Sequence, residues 1–374
     1  MDFRPEQWIE SKTGLIKMRR RKNRNQSTKG WPHSDRSSRV VILTDNDLDG
    51  VAAAAIVAHR YDEFHVELSS PSTLCEDLAS LVKSSPNETD FFVLDLAVDS
   101  TNVDEFIELL VKLRAAKKRL CYVDTHERPP KEWDRLRAAC TILSRAQTGA
   151  ATSIVQQFLG TRKTNRIARW TAYGEYERAK RISKREYRML KALQTAIPNL
   201  EGPNIPLLMK KLIKPSYNPL KDTLVVQTAQ QAYKKVHQTL KAVYRRRQIL
   251  GGYPPVVLFF GHKIPSGAPN AGWASSFIVM EHRIVGLMTR KKPEFPERIW
   301  VHGRKYKHLA FNMDLVRDAL REVGGDGGGH GSDSYVGGWI PQNCLNQFII
   351  ALKQRLPTLD AQLDREPTVN NPYN

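Results

Sequence analysis

The sequence predicts an α/β protein, with an N-terminal parallel, doubly wound sheet joined through a helical linker to a smaller α/β unit. Three observations carry that expectation. Short β-type runs alternate with helical runs from residue 39 to about residue 160, the pattern of successive βα units. A basic, helical segment without strand character follows, from 161 to 250. A second set of apolar strand-like runs then appears between 251 and 356.

The elements can be justified in order. Residues 1–38 are polar, basic and rich in Ser, Asn and Arg, including the run from Met18 to Arg24, and read as a basic arm. Val40–Thr44, Phe64–Leu68, Phe91–Leu96, Leu120–Asp124 and Thr141–Leu143 are short apolar runs and are expected to be strands. Between them, Val51–His59, Leu74–Val82, Val103–Ala116 and Lys131–Ala139 have helical spacing, and Thr152–Leu159 continues the alternation. A Pro-rich break is expected at Pro198–Pro219. Asp222–Leu250 lacks Pro and Gly and has apolar residues at Val225, Ala229, Ala232, Val236, Leu240 and Val243, so it reads as one long amphipathic helix. Val256–Phe260, Phe277–Met280, Ile284–Met288 and Ile299–His302 are expected strands; Met313–Val323 and Cys344–Arg355 are expected helices. The organisation read from this is an arm (1–38), a first α/β domain (39–180), a basic helical connector (181–250), a second α/β domain (251–356) and a Pro- and Asn-rich tail (357–374).

The chain has 374 residues, 41% hydrophobic and 26% charged, an ordinary globular balance. No apolar run is long enough for a membrane span and no apolar signal core precedes the basic run, so a soluble, cytoplasmic protein is expected. Four cysteines without CxxC spacing argue against a zinc site or a disulfide framework; Cys121 and Cys140, in apolar runs, read as buried thiols. The net charge of +19 is unevenly placed: residues 1–39 hold 11 Lys/Arg against 4 Asp/Glu, residues 160–250 hold 21 against 5, and the remainder 26 against 30. Cations confined to two segments form an electrostatic footprint suited to a polyanion such as nucleic acid. Trp170, Tyr173, Tyr176, Tyr187, Tyr233 and Tyr244 lie among the cations of the middle segment; each could stack on a base, and each taken alone reads first as a packing residue.

The sharpest motif is Thr44-Asp45-Asn46-Asp47-Leu48-Asp49-Gly50, between a strand and a helix. Three carboxylates at alternate positions crowd like charge, which a bound cation would relieve. An EF-hand loop begins the same way but requires Glu at its twelfth position, where Ile56 stands, and helices on both sides. Asp95 ends the third strand, and Asp124 and His126 end the fourth, so strand-end acids recur on one crest of the sheet. Oxygen ligands with one imidazole suit Mn²⁺ or Mg²⁺ better than zinc. A second motif runs from Gly324 to Gly331 and contains Gly327, Gly328, Gly329 and His330; glycines without a Cβ let a phosphate approach backbone N–H groups.

These motifs, in this order, resemble the DHH/DHHA1 phosphoesterase superfamily, and within it the RecJ-like single-strand exonucleases of archaeal type. The D-x-D-x-D-G run, the strand-end Asp95 and Asp124-Thr125-His126 resemble that superfamily's first three motifs, with Thr125 in place of a His. Tyr173-Gly174-Glu175-Tyr176 resembles the fourth, with Glu175 in place of an Asp. Thr152-Ser153, after Gly149-Ala150, resembles an element beside the metals; a helix start there suits a phosphate, a supporting hydrogen bond or a plain cap. The glycine run resembles the GGGH motif of DHHA1 domains, and Arg304 resembles their phosphate-clamping Arg. The resemblance implies one or two Mn²⁺ or Mg²⁺ ions held by Asp45, Asp47, Asp49, Asp95, Asp124, His126 and Glu175. It implies substrate contacts from Arg304, Gly327, Gly328, Gly329 and His330, and hydrolysis of single-stranded DNA or RNA in repair or replication beside a helicase or other replication protein. A nanoRNase, a cyclic-dinucleotide phosphodiesterase and a catalytically inactive replication scaffold are the alternatives.

Overall fold

The computed structural model describes residues 39–71, 73–98, 102–125, 130–140, 142–145, 150–175, 182–252, 254–264, 279, 284–292, 295–305, 309–326 and 335–356. The expected Phe277–Met280 strand lies outside these residues except for Val279, which is helical.

Five short strands build the first sheet: β1 (Arg39–Asp45), β2 (Glu63–Ser69), β3 (Asp90–Leu94), β4 (Arg119–Asp124) and β5 (Ile142–Arg145). All pair in parallel, in the order β2-β1-β3-β4-β5. Alternation along β1 decides which helices cover which face. Val40 and Ile42 point into one core, and Val41 and Leu43 into the other. On the second face lie α2 (Leu74–Ser84), α3 (Val103–Ala115) and α4 (Pro130–Ala139). On the first lie α1 (Leu48–Ala58), α5 (Ala151–Leu159), α6 (Asn165–Glu175), α7 (Lys184–Ala196) and α8 (Asn204–Leu212). Helix α1 is apolar all round because it is buried all round, packed against β1, α5 and α8. The doubly wound expectation is met.

Helix α8 falls inside the expected Pro-rich break. Pro203 precedes it and Pro206 occupies its first turn, where an N–H has no helical partner to lose, so the prolines start the helix rather than prevent it.

Helix α9 (Thr223–Tyr244) is the expected long helix, but it stops short of Leu250. Arg247–Gly251 is a strand, β6, paired antiparallel with β7 (Val256–Phe259). With no Gly or Pro before Gly251, periodicity alone carried the helix too far. The second sheet adds β8 (Val285–Lys292), β9 (Phe295–Lys305) and β10 (Tyr335–Pro341), in the order β10-β9-β8-β7-β6, with only β7 and β8 parallel among these pairs. β6 and β10 were not anticipated: β10 holds Gly337 and Gly338 in a Gly-rich stretch that reads as loop. Helices α10 (Asp314–Glu322) and α11 (Leu345–Arg355) cover one face of this sheet. The other face receives the C-terminal half of α9: Val236, Leu240, Val243 and Tyr244 pack on Val257, Phe259 and Met288. The N-terminal half of α9, through Val225 and Ala229, belongs to the first core.

Candidate active site

Sheet order sets the location. In an open parallel sheet ordered 2-1-3-4-5, the crevice at the carboxyl ends of β1 and β3 is the topological switch point, where such folds bind ligands. Asp45 ends β1, Asp47 and Asp49 open the following helix, Asp95 follows β3, and Asp124 ends β4. All five described acids of the sequence reading therefore stand on this crest. Burial and the charges of Asp49, Asp47, Asp124 and Asp45, in that order, hold the Asp95 carboxyl well above the usual carboxylate range. Those four carboxylates are close enough to act on one buried acid.

Local bonds then separate the roles of the acids. Asp47 caps α1, its Oδ1 accepting from Gly50 N at 2.8 Å. Asp45 Oδ1 accepts from Asn46 N at 2.6 Å. Both side chains remain half-buried at the mouth of the crevice. Gly50 has a steric reason: a Cβ there would lie 2.7 Å from both Asp45 O and Thr44 Oγ1. Asp49 turns inward and is 2% exposed. Its carboxylate accepts from Ala151 N at 2.6 Å and Thr152 N at 3.0 Å, and Thr152 Oγ1 donates to Asp49 O at 2.9 Å. The N-terminus of α5 thus takes a carboxylate as its anion, which settles the reading of Thr152 as a supporting hydrogen bond. Burial, and next the Asp47 charge, push the Asp49 carboxyl up to about 6 despite those bonds.

Asp95 sits at φ +56°, a conformation rare for a residue with a side chain and found at functional sites. Its N–H donates to Val123 O at 2.8 Å, extending the β3–β4 ladder into the turn, and Thr125 Oγ1 donates to its Oδ1 at 3.4 Å. Asp124 is fully buried. It accepts from Thr125 N at 2.9 Å and from the Tyr122 hydroxyl at 2.8 Å. The sequence reading missed Tyr122, whose hydroxyl also lies 2.7 Å from Leu96 O. A phenol inside an otherwise apolar strand is itself a signal, since its O–H requires a partner.

His126, Gly327, Gly328, Gly329 and His330 lie outside the described residues, as does the side chain of Glu175. Among the described residues no three His, Cys, Asp or Glu side chains are grouped to hold a metal ion. Two of the five carboxylates are turned to protein donors, Asp49 to α5 and Asp124 to Tyr122. The donor chemistry is still that of a hard divalent cation: clustered carboxylate oxygens whose mutual repulsion a cation would cancel.

Arg304 lies on β9, exposed, with its guanidinium 5.1 Å from the Tyr335 ring centre. The glycine run starts pinned to β10. Asp326 and Trp339 exchange two backbone bonds of 3.0 and 3.1 Å, and a Cβ on Gly325 would fall 2.2 Å from Trp339 O. Of the aromatic residues in the basic segment, Trp170, Tyr233 and Tyr244 are buried and serve packing; Tyr187 is exposed; Tyr176 lies outside the described residues.

Fold and crest define a class: two-sheet α/β proteins with acids gathered at the switch point of a parallel sheet. Solved structures place it further. The chain is similar to a DHH-domain member of the s1p family of ribosomal proteins (13% identity, TM-score 0.62, 85% of this chain and 86% of that one). It is also similar to exonuclease RecJ bound to manganese (12%, 0.55, 87% and 92%). A third likeness is to PggH, a pGpG-specific phosphodiesterase from Vibrio cholerae (12%, 0.52, 85% and 98%). The fold is the DHH fold, shared with phosphodiesterases and exonucleases. No family profile and no curated protein matches the chain.

Proposed function

We propose that the protein is a divalent-metal-dependent phosphodiesterase that hydrolyses single-stranded nucleic acid as an exonuclease, with a role in DNA repair or replication. The observation that carries this is the gathering of Asp45, Asp47, Asp49, Asp95 and Asp124 at the switch-point crevice, where burial and four neighbouring charges act on Asp95. Asp45, Asp47, Asp95 and Asp124, with His126 and Glu175, would hold one or two Mn²⁺ or Mg²⁺ ions. Such ions supply a hydroxide near neutral pH and neutralise charge on the attacked phosphate. The protein's own groups position: Asp49 fixes α5 against the carboxylate turn, and Tyr122 and Thr125 orient Asp124 and Asp95. The likeness to manganese-bound RecJ supports the choice of ion. Residues 39–180 would form the catalytic domain, 181–250 a basic connector that tracks the strand, and 251–356 a substrate-binding domain in which Arg304, Gly327, Gly328, Gly329 and His330 grip phosphate. Single-stranded nucleic acid and a helicase or other replication protein are the proposed partners. Among the described residues no helix is long and apolar enough to cross a membrane.

A second reading, a phosphodiesterase of short or cyclic dinucleotides, is favoured by the likeness to PggH. The excess of 21 Lys/Arg over 5 Asp/Glu in residues 160–250 favours the polymer. One experiment decides: digestion of an end-labelled 20-mer and a dinucleotide with Mn²⁺, Mg²⁺ or chelator. Cation-dependent shortening of the 20-mer, faster than turnover of the dinucleotide, is expected. Preference for the dinucleotide selects the second reading. No cleavage of either under any cation leaves a non-catalytic scaffold.

A further inference from the structure

Strand register places an unusual set of side chains on one face of the second sheet. On β9 the residues alternate. Ile299 and Val301 join the core beneath α10 and α11, so Arg298, Trp300, His302 and Arg304 belong to the opposite face. Across the sheet Trp300 pairs with Trp339 of β10 and with Arg290 of β8, Arg304 pairs with Tyr335, and Lys292 pairs with Phe295. Among the described residues, helix α9 packs on this face against Val257 and Phe259 of β7 and Met288 of β8, together with Ile264, Val279 and Ile284. Over β9 and β10 the described side chains of this face are largely aromatic and cationic.

The rings and cations are interleaved. Lys292 Nζ sits 3.8 Å from the Trp300 ring centre, and the Arg298 guanidinium lies 4.2 Å from Trp339 and 5.1 Å from Phe295. Arg290, Lys292, Arg298, Trp300 and Trp339 are all half-buried, so each keeps part of its surface at solvent. Glu297 pairs with Arg298 at 3.1 Å. Trp300 Nε1 and His302 Nε2 are enclosed within this face and have no hydrogen-bond partner among the described residues. Burial first, and then the charges of Arg290, Lys292 and Arg304, push His302 down to about 3, which keeps it neutral.

We propose that the face formed by Arg290, Lys292, Arg298, Trp300 and Trp339 is a stacking platform for single-stranded nucleic acid. It rests on the single-stranded substrate of the proposed function and adds where the strand beyond the hydrolysed end lies. Flat rings accept any base, and the interleaved cations neutralise the phosphates between them. Cations held over rings are already positioned for an extended polyanion, whereas a compact dinucleotide would use only one end of the face.

The test measures binding without hydrolysis, on the full chain in chelator, with labelled 20-mers of oligodeoxyuridine and oligouridine, which differ only in the sugar; the tighter of the two fixes it. Trp300→Ala with Trp339→Ala should weaken binding at least tenfold. Lys292→Gln, a charge change at a half-buried position, should reduce the slope of log affinity against log salt by about one. Trp300→Phe with Trp339→Phe should keep affinity within threefold but lose the oligonucleotide-induced quench of tryptophan fluorescence. Unchanged affinity in the Ala pair together with an unchanged salt slope in Lys292→Gln would overturn the platform, as would a quench that persists in the Phe pair. Hydrolysis with Mn²⁺ is scored separately: a platform that fails beside working hydrolysis sinks this inference alone, and quench without hydrolysis sinks only the enzymatic reading.

Discussion

Replacing Asp47 by Asn and by Ala separates charge from capping at the carboxylate turn. Asn keeps an oxygen for Gly50 N, now bonded at 2.8 Å, so the cap of α1 survives; Ala removes it, at about 1 kcal/mol. Both remove a charge that acts on Asp49 and Asp95. The Asp49 carboxyl stands at about 6 against an ordinary 3.8. At roughly 1.36 kcal/mol per pH unit, that gap is about 3 kcal/mol of native-state disfavour for its charged form. Burial is the larger cause and Asp47 the second, so the Asp47 share is on the order of 1 kcal/mol. The native state holds a proton that the unfolded chain releases near pH 3.8, so this contribution to stability is complete below that pH and lost as pH rises through about 6. At pH 7.5 in chelator, Asp47→Asn should therefore melt no lower than wild type, and up to roughly 3 °C higher, while Asp47→Ala melts lower than Asp47→Asn. Acidification from pH 7.5 to 5 should help the wild type more than Asp47→Asn. Addition of Mn²⁺ should stabilise the wild type at pH 7.5, less at pH 5, and neither variant to the same degree. The assay is thermal unfolding across pH with and without MnCl₂. The reasoning fails if Asp47→Asn is as destabilised as Asp47→Ala in chelator and Mn²⁺ raises all three proteins alike.

Three further outcomes are expected. Gly50→Ala forces a Cβ to 2.7 Å from Asp45 O; although Ala is the better helix former, overpacking of about 1–3 kcal/mol should dominate, giving a lower melting temperature and a lost Mn²⁺ response. Tyr122→Phe keeps the ring against Phe106 and Trp133 but removes the donor to Asp124, and calorimetric titration should show Mn²⁺ affinity about 10- to 100-fold weaker. Burial pushes the Cys75 thiol up to about 11 and Cys140 up to about 12, and holds Cys121 well above the usual thiol range. A thiol reagent should therefore titrate Cys344 alone in the native protein and the other three only in denaturant.

Alternation of strand and helix made the first sheet legible in the sequence, because each β-type run there is bounded by polar turns and helices such as α2 and α3 carry one periodic apolar face. The candidate site was legible for the same reason: acids at the ends of apolar strands stand out against their surroundings. What escaped the sequence was set by contacts distant along the chain. Nothing near Asp49 in sequence announces that its carboxylate serves Ala151 and Thr152, a hundred residues on. Asp enters the left-handed region more readily than most residues with a side chain, but only in a small fraction of cases, so nothing local marks Asp95 out from the chain's other aspartates. β10 was hidden because its glycines face close neighbours: a Cβ on Gly338 would come within 2.2 Å of Asp326 O.

Helix α9 lends its first turns to one hydrophobic core and its last turns to the other. Its 22 residues make a rod about 33 Å long. Point changes on its wet side leave the rod intact, but a single inserted residue between Ala229 and Val236 would wind everything downstream by about 100° and push it about 1.5 Å along the axis. The apolar stripe would then meet only one of its two seats. Exchanging one solvent-facing residue of this helix for another leaves the two seats in phase, whereas its length between those two cores is fixed by both of them.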